Sequence, residues 1–84
     1  MGVRTPKEHD MTTVDQVHDA VRIILSDRAN YPKTLNYAVE YCRAALWQDG
    51  DDLRVQCLYI LNNISRWRHP KAKDVRAVLK SFKG

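Results

Sequence analysis

Apolar residues recur in this chain every three or four positions, in four blocks, and each block ends at a proline, a glycine or an aspartate-rich turn. That spacing puts one apolar stripe on each of four helices and leaves no run with the alternation of a strand. It predicts an all-α fold, a small bundle of four helices.

The first block, about 13 to 28, carries Val14, Val17, Val21, Ile24 and Leu25 on one face. Thr13 and Gln16 have the spacing of a capping box, and Asp15 stands where the helix dipole favours an anion. The second block, about 31 to 48, opens with Pro32, which suits a first helical turn because its missing N–H would be unpaired anyway. Its inward stripe is Leu35, Ala38, Val39, Cys42, Ala45 and Leu46. The third, about 52 to 68, is expected to start at an Asp51 or Asp52 cap and to bury Leu53, Cys57, Ile60, Leu61, Ile64 and Trp67. Val55, Leu58 and Tyr59 add apolar groups on its other faces, so helix 3 is expected at the centre of the bundle. The fourth, about 70 to 83, follows Pro70 and turns Ala72, Val75, Val78, Leu79 and Phe82 inward.

Short connections make residues 12–84 one helical domain. Residues 1–11 are polar and without periodicity, and read as a flexible leader; a start at Met1 or at Met11 fits equally. With 84 residues, 44% hydrophobic and 29% charged, the chain has the composition of a globular domain. No apolar run approaches the roughly 18–20 residues of a membrane span, and the first residues lack the apolar centre of a secretory signal. A cytoplasmic, non-membrane protein is expected, with Cys42 and Cys57 as free thiols packed like small hydrophobes.

Catalytic and metal chemistry find little support. His9, His18, His69 and the two cysteines show none of the paired spacings of zinc sites. Neither cysteine has a local electropositive turn or a helix N-terminus that would make it a nucleophile. Asp49–Asp52 lacks the ligand pattern of a calcium loop and reads as a turn with a capping aspartate. Three glycines, at 2, 50 and 84, cannot build a phosphate cradle. No catalytic residue, no metal and no cofactor are expected, and the chain reads as a binding module rather than an enzyme.

The charge is uneven. Of a net +4, residues 66–84 contribute +6, from seven cations against Asp74, while residues 1–65 carry seven cations and nine carboxylates, or −2. The candidate contacts are Arg66, Arg68, Lys71, Lys73, Arg76, Lys80 and Lys83. Helix 3, the Arg-His-Pro turn and helix 4 have the order of a helix-turn-helix, with Trp67 and His69 interleaved as rings that suit single-stranded bases. The exposed face of helix 4 lacks the Asn, Gln and Thr that read base edges, so the expected partner is the phosphate backbone of DNA or RNA. The competing reading is a protein partner or a homodimer. Four short helices cannot bury every large aromatic, and Tyr31, Tyr37 and Trp47 lie off the main stripe of helix 2 as candidates for an exposed patch.

Overall fold

A computed structural model describes residues 12–83; the expected leader and Gly84 lie outside the described residues. Four α-helices form: α1 Val14–Ser26, α2 Ala38–Ala45, α3 Gly50–Asn63 and α4 Ala72–Ser81. A 3₁₀ turn, Arg28–Asn30, and a π turn, Tyr31–Leu35, join α1 to α2. No strand occurs among the described residues.

The start of α1 is capped as its sequence predicts. Thr13 Oγ1 accepts from the Gln16 N–H at 3.1 Å, and Gln16 Oε1 accepts from the Thr13 N–H at 2.8 Å. Two donors that the helix geometry leaves unpaired are thereby satisfied. Val17, Val21 and Ile24 are fully buried.

The second predicted helix is broken. The Asn36 N–H bonds to the Tyr31 carbonyl at 2.7 Å, closing a π turn, and Asn36 has a positive φ of 38°. With ψ at −111° Asn36 lies outside the left-handed helical region that Asn tolerates, so the break falls at a strained residue. Only Ala38–Ala45 is α-helical.

The third helix begins and ends earlier than its stripe suggests. Asp49 is the N-cap, without a side-chain cap bond, and Gly50 supplies a φ of +55° at the first position. α3 stops at Asn63. Eight residues, Ile64 to Lys71, then run without regular helix before α4. The three- or four-residue turn of a helix-turn-helix is therefore not present. Trp67 is not helical: it plugs the core from this connection at 1% exposure.

The principal packing partners form a cycle, α1 on α2, α2 on α3, α3 on α4 and α4 on α1. That pattern does not single out α3 as a centre, and Leu58 and Tyr59 on α3 stay half exposed. One end of the bundle gathers the start of α1, the α2–α3 turn and the end of α4; His18 Nε2 lies 3.1 Å from the Gln48 carbonyl there. The other end gathers the end of α1 and the Ile64–Lys71 connection, where Trp67 meets Asp27. Cys42 and Cys57 are free and buried. Burial pushes the Cys57 thiol up to about 11, and burial with the neighbouring Cys57 pushes Cys42 up to about 12.

Candidate polyanion-binding surface

Every ion pair among the described residues lies in the body of the chain. Asp19–Arg22, Glu40–Arg43 and Asp51–Arg54 each join residues three apart on one helix, at 3.0, 3.3 and 3.3 Å. None involves a cation from 66 to 83. Arg66, Arg68, Lys71, Lys73, Lys80 and Lys83 are all exposed, and Asp74 in the first turn of α4 is the carboxylate set among them.

Folding divides these residues into two groups. The first surrounds the start of α4. Arg68, Lys73 and Arg76 line a shallow depression with Ser65, Trp67 and His69. Arg66 and Lys71 flank the same connection. No side chain caps α4, so its positive dipole end adds to the cations. His69 stacks on Trp67 with ring centroids 5.2 Å apart, and its Nδ1 accepts from the Lys71 N–H at 3.0 Å. This shapes the loop that carries Arg66, Arg68 and Lys71.

Arg76 differs from its neighbours. Its guanidinium donates to the Ile64 carbonyl at 2.8 Å and to the Trp67 carbonyl at 2.6 Å. Those carbonyls lie just beyond the end of α3, where backbone acceptors lack helical partners. Arg76 ties the connection to α4 and is half-buried in doing so. Trp67 is likewise taken: its ring is buried and its Nε1–H donates to Asp27 Oδ2 at 2.8 Å. It cannot stack on a base, so of the two rings expected among the cations only His69 reaches the surface. The Trp67 N–H, the Asn30 amide and nearby His69 hold the Asp27 carboxyl below its ordinary value, against an opposing cost of lost hydration.

The second group, Lys80 and Lys83, lies at the other end of α4. It shares a depression with Arg54 and Leu58 of α3 and with Leu79 and Phe82. Arg54 was not among the residues expected here; its place in an i,i+3 pair on α3 gave no sign that α4 would end beside it.

The three aromatics expected as one patch separate. Tyr31 is half-buried, packs against the core, and its hydroxyl donates to the Leu25 carbonyl. Tyr37 and Trp47 are 70% and 90% exposed, but stand at opposite ends of α2. A pair the sequence did not suggest, Tyr41 and Tyr59, bridges α2 and α3 with centroids 5.6 Å apart.

Among the described residues no group of three or more His, Cys, Asp or Glu could hold a metal ion, and no helix is long and apolar enough to cross a membrane. No family model, no characterised protein and no solved structure matches this chain.

Proposed function

We propose that this protein is a small non-catalytic binding module that holds the phosphate backbone of a nucleic acid at the start of α4. The observation that carries the reading is the set of exposed cations that make no ion pair among the described residues, Arg66, Arg68, Lys71 and Lys73, gathered around a helix start without a side-chain cap. Phosphate is the anion such a surface suits, through its cations and the positive end of the α4 dipole. Arg76 serves it by positioning the connection. Lys80 and Lys83, about 10 to 15 Å further along α4 from Lys73, lie in a separate depression and are not counted in this surface.

Recognition by this surface is of backbone rather than bases. The exposed positions of α4 between the lysines are Asp74, Ala77 and Ser81, which offer little for groove edges. With about four phosphates neutralised, log affinity for duplex should fall with log salt at a slope of about −3.6. Titrating labelled oligonucleotides across salt concentrations tests this. The two thiols, held protonated by burial, favour packing over nucleophilic work and suit a reducing cytoplasm.

A second reading has its own observation. Trp47 at 90% exposure, with Tyr37 at 70%, is the kind of surface that proteins bury in interfaces. In that reading the partner is a protein or a second copy of the chain.

A further inference from the structure

Trp47 is the most exposed large apolar side chain among the described residues. It sits in the turn between α2 and α3, and Asp49, Asp51 and Asp52 follow it, all exposed. The turn is fixed: the Trp47 N–H bonds to the Ala44 carbonyl at 3.0 Å, the Gln48 N–H to the Ala45 carbonyl at 3.1 Å, and the Gln48 carbonyl lies 3.1 Å from His18 Nε2. The indole is therefore held out into solvent by a braced backbone.

The depression between α3 and α4 lies at the same end of the bundle. Leu58, 50% exposed, supplies its accessible apolar surface over the buried Leu79 and Phe82, and Arg54, Lys80 and Lys83 its charges. Arg54 is about 6 Å along the α3 axis from Gly50, and Leu58 about 12 Å. One end of the molecule thus carries an apolar projection set among carboxylates beside an apolar hollow set among cations. The two are opposite in shape and in charge. The projection does not fill its own chain's hollow, since Trp47 stays exposed.

We propose that this end is a self-association surface. The Trp47 turn of one copy enters the depression formed by Arg54, Leu58, Lys80, Phe82 and Lys83 of a second copy, and the second copy returns the same contact. Reciprocal contact is what a two-fold dimer requires, and it needs projection and hollow on one end of each subunit. Asp51 already pairs with Arg54 within its own chain, so Asp49 and Asp52 are the carboxylates that meet Lys80 and Lys83 of the other copy. This inference rests on the second reading above and narrows it to one partner and one surface. It leaves Arg66, Arg68, Lys71 and Lys73, at the opposite end, free for phosphate.

Sedimentation of the full chain at rising concentration and low salt tests it. The mass should rise from 9.8 kDa toward twice that value and fall back with added salt. W47A should weaken the dimer roughly 30-fold or more, the scale of a buried interface Trp. D49K/D52K and K80E/K83E should each be monomeric alone, because each repels itself. Mixed together they should form a heterodimer, since both reciprocal contacts become attractive again. Trp67 emission reports that each variant remains folded. A wild-type mass that stays at that of one chain overturns the proposal. If W47A dissociates the dimer while both charge variants leave it intact, the aromatic reading survives and this surface assignment falls. Oligonucleotide binding by the wild type, measured alongside, is independent of either result.

Discussion

Trp67 Nε1 donates a hydrogen bond to Asp27 Oδ2 across 2.8 Å, joining residues forty positions apart. The bond closes one end of the bundle, because Asp27 ends α1 and Trp67 sits in the connection that leads into α4. The loop presenting Arg66, Arg68 and Lys71 is built on that closure. W67A should cost about 3–5 kcal/mol, the usual loss for truncating a buried Trp. In a domain this small that is much of the total stability. Chemical denaturation of W67A and of the milder W67F measures it.

The same bond makes stability depend on pH in a definite direction. The folded-state pKa of Asp27 lies below its ordinary 3.8, so the ionised carboxylate is favoured in the folded protein. Its contribution is complete above the unfolded value and is lost as pH falls from there through the folded pKa. The urea midpoint of the wild type should therefore drop on acidification below about pH 4. D27N, which has no proton to gain, should start less stable at neutral pH and show a shallower acid limb.

Arg76 separates structural from functional charge. Its two bonds to the Ile64 and Trp67 carbonyls predict that R76A loses about 1.5–3 kcal/mol, the range for hydrogen bonds to a charged group. R76K keeps the charge but loses the planar fork and should recover only part of that. Neither change should alter the salt slope of oligonucleotide binding while the domain stays folded. Thermal melts and binding titrations on the same samples decide it.

The cysteines give a chemical test of the core. With thiols pushed up to about 12 and 11, Cys42 and Cys57 carry almost no thiolate at neutral pH. A thiol reagent at pH 7.5 should label neither in the folded protein and both in denaturant. Rapid labelling without denaturant would show that the core opens easily at α2 and α3.

Much of this architecture was legible from apolar spacing alone. The core positions of α1 and α4 and the buried cysteines follow from a period of 3.6 residues, and the Thr13–Gln16 box from a polar pair three apart, each dependent only on neighbours along one helix. The breaks were harder to see. Tyr31–Leu35 and Ile64–Trp67 keep an apolar rhythm through the points where the helix stops, so periodicity reads straight across them. The contacts that hold the chain beyond α3 are long-range: Arg76 donates to the Ile64 and Trp67 carbonyls, and Asp27 accepts from the Trp67 indole. The same blindness affected the candidate sites. Charge totals located the basic end but could not divide it, since the removal of Arg76 and Trp67 into structure depends on contacts nine to forty residues away.

The central claim is that Arg66, Arg68, Lys71 and Lys73 act together on phosphate, and anisotropy titration of a labelled duplex over a range of salt tests it most directly. The wild type should bind with a log–log slope of about −3.6, and a folded R66E/R68E/K71E/K73E variant should not bind at any salt. Wild-type affinity that is absent at low salt, or that survives in the folded variant, would contradict the account.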